Sequence, residues 1–231
     1  MDRVSKSSLA TFLMCKRKYY YSLIGFKEEP NKYMIYGTEF HDIVNKFNRK
    51  IIKENNFNES INIGMNKTYK NNFDSYLNIL KEFNKEGYNL IPYASELPVN
   101  YDDIFGFIDI ILHNNGKYLI IDMKTIPYFN KFSEEKYRQE LYLYAWLFSK
   151  AYNVELSNIN TALIRFEQNG SKYDINRVSI DNLQLEGVVL ETYSMKEFIL
   201  NSRGEEKEFP KISKDKTSFV CKFCPYFKIC D

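Results

Sequence analysis

Between residues 104 and 124 apolar side chains recur with a period of two. Ile108, Ile110 and Leu112 on one side, and Leu119, Ile121 and Met123 on the other, flank the dipeptide Asn115-Gly116. Both residues of that dipeptide accept the positive φ of a type I′ turn, so the spacing predicts a hairpin of strands 104–113 and 117–124. A further strand is expected at 94–100, and a second hairpin, 159–167 with 171–179, around Asn169-Gly170. Elsewhere the apolar spacing is helical. One helix starts at a Ser5 or Ser7 cap and runs to about Leu23, carrying Cys15. A second spans Tyr33 to Ile52 with Tyr36, Phe40, Val44 and Phe47 as its stripe, and a third ends near Gly87. A fourth ends near Ala151 with Leu141, Tyr144, Ala145 and Phe148 on one face, and a fifth covers Asp181 to Asn201. Segments 55–66 and 127–133 read as loops, and Arg203 to Lys216 as a mobile charged stretch. This mixed order predicts an α/β (α+β mixed) fold, a central mixed sheet flanked by helices.

The bend fixes a register. Residue 114 pairs with 117, so Asp109 falls opposite Asp122, and alternation puts Lys124 on the Asp122 side. Facing carboxylates repel. The bland alternative is two solvated strand aspartates, one of them neutralised by Lys124. The flanking Ile108, Ile110, Ile120 and Ile121 favour a central strand instead, where a cation between the carboxylates turns repulsion into a site. Hard ions such as Mg²⁺ or Mn²⁺ take oxygen ligands, and an adjacent lysine suits metal-assisted attack on a phosphate.

Composition narrows the class. The 231 residues can bury one sizeable core, so one domain over 1–231 is expected. Its parts would be a helical subregion at 1–90 carrying Cys15 and His41, a core at 91–200 and a tail at 217–231. Hydrophobic content of 44% and charge of 27% fit a globular protein. No apolar run reaches the length of a membrane span, and Lys16, Arg17 and Lys18 interrupt the N-terminal apolar stretch where a secretory signal would lie. An intracellular location follows, and disulfides are rare there. The four cysteines, Cys15, Cys221, Cys224 and Cys230, therefore read as ligands of one metal centre that clasps both ends of the chain. Zinc and an iron–sulfur cluster both accept such a set. A net charge of +2 does not mark a nucleic-acid binder. The local candidate is Lys16-Arg17-Lys18 joined to Tyr19 to Tyr21, whose rings can stack on unpaired bases. The competing reading packs those tyrosines around the cysteine centre.

These residues resemble the PD-(D/E)XK nucleases of the RecB type. Gly106-Phe-Ile-Asp109 and Ile-Ile-Asp122-Met-Lys124-Thr look like that family's second and third motifs, and Gly37-Thr-Glu-Phe-His41 like its first. Glu140-Leu-Tyr-Leu-Tyr144 is similar to its helix motif, and the cysteine spacing to that of its iron–sulfur members. These include the AddB nuclease domain and the Cas-type nuclease of CRISPR adaptation. The resemblance implies a restriction-endonuclease-like core and hydrolysis of DNA. Asp109, Asp122, the Met123 carbonyl and His41 would hold Mg²⁺ or Mn²⁺, and Lys124, Glu140 and Tyr144 would act beside them. It also favours a 4Fe-4S cluster over zinc, 5′ to 3′ exonuclease action on single-stranded ends, and partners in CRISPR adaptation or recombination. The alternative implied is a protein that holds DNA ends for an integrase, with cleavage secondary. One departure stands out: Glu140 occupies the family's glutamine position, with Gln139 rotated about 100° away on the helix. A carboxylate there can accept hydrogen bonds or assist a metal, but has no amide donor.

Overall fold

A computed structural model describes residues 4–27, 29–59, 63–127, 134–168, 172–212, 219–222 and 224–230. In order, the elements are β1 (Val4–Ser5), α1 (Lys6–Met14), α2 (Lys16–Leu23), α3 (Lys32–Glu54), α4 (Lys70–Lys85), β2 (Ala94–Tyr101), β3 (Ile104–Asn114) and β4 (Lys117–Ile126). There follow α5 (Glu134–Tyr152), β5 (Ile159–Glu167), β6 (Tyr173–Val178), α6 (Asn182–Asn201) and α7 (Phe219–Lys222). The strands form one six-stranded mixed sheet, so the expected α/β class holds. The chain divides into two compact units, 1–29 with 100–106 and 186–231, and 30–99 with 107–185.

The second unit carries the β3–β4 hairpin. Asn115 and Gly116 have φ of 47° and 79°, as a type I′ turn requires. The ladder runs from Asn114 with Lys117 to Ile110 with Ile121, in the register set by that turn. β4 pairs parallel with β5, and β5 antiparallel with β6 from Thr161–Val178 to Phe166–Tyr173. The turn expected at Asn169-Gly170 lies outside the described residues. One sheet face presents Ile110, Leu112, Leu119, Ile121, Met123, Ala162, Ile164 and Phe166 to Phe40, Val44, Phe47 and Ile51 of α3 and to Phe73, Tyr76, Leu80 and Phe83 of α4. That face is the apolar stripe of the sequence. α5 packs against β4 and β5 with Leu141, Tyr144, Ala145 and Phe148 buried.

The first unit departs from expectation in two ways. The helix expected through Cys15 is broken there: Cys15 is extended (φ −164°, ψ 114°), ending α1 and starting α2. Ser5 caps α1 by accepting from the Ser8 N–H at 3.1 Å. The stretch after Arg203 is anchored as far as it is described, because Phe209 is fully buried against Tyr19, Tyr20 and Phe198. A charge-rich composition hid that single aromatic anchor.

Candidate active site

Two carboxylates and an imidazole converge in the second unit. His41, Glu96 and Asp109 each offer one ligand atom, and these atoms all lie within 4.8 Å of one another. α3 brings His41 because Asn31 caps it, its side chain accepting from the Tyr33 and Met34 N–H groups at 2.9 and 3.1 Å. Asp109 comes from β3, next to Ile110, which pairs with Ile121 of β4. Asp109 Oδ2 accepts the Met123 N–H at 2.7 Å. The same oxygen lies 3.8 Å from His41 Nδ1.

Glu96 was not picked out by sequence reasoning. It sits in β2 with φ of 49°, a left-handed conformation that costs a non-glycine residue about 1–3 kcal/mol and clusters at functional sites. No spacing rule connects it to the hairpin. An acidic residue in an otherwise ordinary strand, just ahead of two carboxylate-bearing strands, was the one available signal.

Beside that cluster lies a second group. Asp122 is fully buried, and its two oxygens stand 2.8 and 2.6 Å from Lys124 Nζ. Glu140 Oε2 approaches the same ammonium at 3.3 Å, and the Tyr137 ring lies 5.4 Å from it, within cation–π range. The solvated-aspartate reading therefore fails for Asp122. Glu140 and Tyr144 both come from α5, four residues apart and on one face. Burial pushes the Tyr144 phenol far up, and the charges of Asp122, Asp109 and Glu140 add to that while Lys124 opposes it. Tyr144 is thus a neutral donor at any ordinary pH.

Of the residues expected to hold a cation, His41 and Asp109 meet and are joined by Glu96, whereas Asp122 is engaged by Lys124. Asp122 and Glu140 lie against Lys124, and Lys136 Nζ stands 4.0 Å from Glu140, while Glu96 and Asp109 gather with His41. The ligand atoms of His41, Glu96 and Asp109 are close enough to share one cation. Hard oxygens with one imidazole fit Mg²⁺ or Mn²⁺.

In the first unit, Cys15, Cys221, Cys224 and Cys230 line one recess with Lys18, Tyr21 and Tyr226. All four thiols are free of disulfides. Soft sulfur donors gathered in this way suit zinc or an iron–sulfur cluster. Two of the three basic residues, Arg17 and Lys16, have partners within the first unit. Arg17 Nε donates to the Phe209 carbonyl at 2.7 Å and its guanidinium pairs with Glu206. Lys16 sits 4.3 Å from the Phe198 ring centroid. Tyr19 and Tyr21 are buried. Among the described residues no helix is long and apolar enough to cross a membrane.

A solved structure shares the fold. A candidate exonuclease from Eubacterium rectale aligns over 96% of this chain and 87% of its own, at 10% identity and a TM-score of 0.58. Weaker likenesses are to SSO0001 (16% identity, 99% of this chain and 85% of that one, TM-score 0.42) and to LHK-Exo in complex with dAMP (12%, 86% and 91%, 0.41). No curated protein matches the chain. The profile of the PD-(D/E)XK nuclease superfamily matches residues 3–231, and so, from its first helix to its cysteine tail, this chain belongs to that nuclease superfamily.

Proposed function

We propose that the chain is a divalent-metal-dependent deoxyribonuclease that works from single-stranded DNA ends, 5′ to 3′, and carries a 4Fe-4S cluster on its four cysteines. The observation that carries the first part is the meeting of His41, Glu96 and Asp109 within 4.8 Å, in the same unit as the Lys124–Asp122 pair. A bound Mg²⁺ or Mn²⁺ would polarise the scissile phosphate and make water a nucleophile near neutral pH. His41, Glu96 and Asp109 would hold that ion, with Asp122 and the Met123 carbonyl completing its shell. Lys124, pinned by Asp122 and Glu140, offsets charge that builds on the phosphate and orients the attacking water. Glu140 fixes the lysine where the family's glutamine would offer an amide. Tyr144 remains protonated and can donate a hydrogen bond to a phosphate oxygen. The cluster reading rests on the cysteine recess together with the motif resemblance, and its role would be to tie α1 and α2 to the C-terminal tail. DNA is the partner implied, with CRISPR-adaptation or recombination proteins as candidate company.

Oligonucleotides labelled at either end, incubated with Mn²⁺, Mg²⁺ or EDTA, test the reading. Metal-dependent shortening from the 5′ end, abolished by Asp109→Ala and Lys124→Ala, is expected. Binding without products under any metal would replace it with the DNA-end-holding alternative. A brown protein, bleached by Cys224→Ala, is expected for the cluster, since zinc would leave it colourless.

A further inference from the structure

A groove opens beside the three-ligand cluster, lined by His41, Asn45 and Arg49 of α3, Glu96 of β2 and Phe107 of β3. The helix residues follow each other at intervals of four, so they form one row along α3, half-buried at His41 and Asn45 and exposed at Arg49. Phe107 shares its strand face with Asp109, two residues and about 7 Å away. It is 51% exposed and has no ring partner among the described residues. A lone exposed phenylalanine is ordinary on a protein surface. One that stands in a polar groove next to a convergence of metal ligands is placed for a ligand. Arg49, at the far end of the row, is about 12 Å along the helix axis from His41. It is exposed and makes no ion pair among the described residues. Asp42, which also lines the groove beside that row, is paired with Lys46 at 2.6 Å.

We infer that this groove is the path of one unpaired DNA strand leaving the cut. A base stacks on Phe107, the Asn45 amide meets a polar edge of the nucleotide, and Arg49 pairs with a neighbouring phosphate rather than the one hydrolysed. The inference deepens the nuclease reading and rests on it for where the cut lies. Duplex DNA lacks what the groove demands, because its bases are paired and their faces covered by their neighbours. Stacking on an aromatic tolerates any base, so the groove selects strandedness and not sequence.

The test is fluorescence anisotropy of a labelled single-stranded oligonucleotide with Ca²⁺ in place of the active metal, run beside Mn²⁺-dependent cleavage. Phe107→Ala is expected to weaken single-strand binding by roughly tenfold or more, with Phe107→Trp near wild type and duplex binding unchanged. Arg49→Ala is expected to weaken binding and to lower the salt-dependence slope by about 1. Both positions are exposed, and equal melting temperatures of variants and wild type confirm intact folds. Wild-type single-strand affinity in Phe107→Ala and Arg49→Ala, with cleavage retained, overturns the groove and leaves the nuclease standing. Loss of binding in those variants, from a parent that never cleaves, keeps the groove and removes the hydrolase.

Discussion

Gly37 and Thr125 approach so closely that a Cβ on Gly37 would lie 2.8 Å from Thr125 Oγ1. A side chain at position 37 would force either Thr125 or helix α3 to shift, and His41 sits one turn further along the same helix. Gly37→Ala sets two effects against each other. Helix propensity gains about 1 kcal/mol, while overpacking costs about 1–3 kcal/mol. Net stability should fall little, but the shift of α3 should carry His41 away from Asp109. The expected result is a several-fold loss of metal-dependent turnover with a small change in melting temperature. Adding Thr125→Ala removes the offending oxygen and should restore turnover. Failure of the double variant to recover would mean that the glycine serves something other than this approach.

Lys124 and Asp122 make a pair in which only the carboxylate is fully buried. Removing the ammonium strands a charge, which costs about 3–5 kcal/mol when a buried pair is broken. Lys124 keeps 23% of its side chain exposed, so the lower end applies. Lys124→Met should thus lose both cleavage and stability in EDTA, and Asp122→Asn in the same chain should return most of the stability and none of the cleavage. Urea unfolding of the two single variants and the double variant gives the coupling directly. Independent, additive effects would deny that the two side chains act together.

Glu96 should reveal itself through metal linkage. An ion that binds only the folded protein stabilises it by about 2.7 kcal/mol at a hundred times its dissociation constant. Saturating Mn²⁺ should therefore raise the melting temperature of the wild type by several degrees over EDTA. Glu96→Gln keeps the shape but removes the charge, and should erase most of that rise, as should Asp109→Asn. If Glu96→Gln keeps the full rise, the cation is held by other residues.

The hairpin was legible because its turn is a local chemical event. Asn115-Gly116 admits positive φ, the bend fixes the register, and alternation delivers Asp109, Asp122 and Lys124 to one region. Gly37 was legible only as a spacing to His41, and the packing that demands it needed Thr125 in space. Glu96 could not be read, because its positive φ is imposed by tertiary context on a residue that does not advertise it. Cys15 looked like an ordinary helical position, yet it is extended and lines a recess with cysteines some two hundred residues away. Arg17 looked like a groove cation for the same reason: its partners, Glu206 and Phe209, are remote in sequence. Patterns of period two or 3.6 report faces; they do not report what a face meets.

Tyr21 joins the two ends of the first unit independently of any cluster. Its hydroxyl donates to Glu206 Oε1 at 2.8 Å and lies 3.0 Å from the Ile229 carbonyl. Burial, and then the Glu206 carboxylate, push this phenol up to about 12, and burial does the same to Tyr19. A folded-state value above the unfolded one near 10 means that the unfolded chain gives up its proton first. The stabilisation is complete below pH 10 and is lost as pH climbs toward 12. Stability should therefore be level across neutral pH and fall steeply in that alkaline window. Tyr21→Phe should cost about 0.5–1.5 kcal/mol at pH 8 for the lost hydrogen bonding, and should make the alkaline fall shallower. Urea unfolding at pH 8 and pH 11 measures both effects. A variant whose alkaline loss matches the wild type would show that this phenol does not hold α2 to the C-terminal tail in its protonated form.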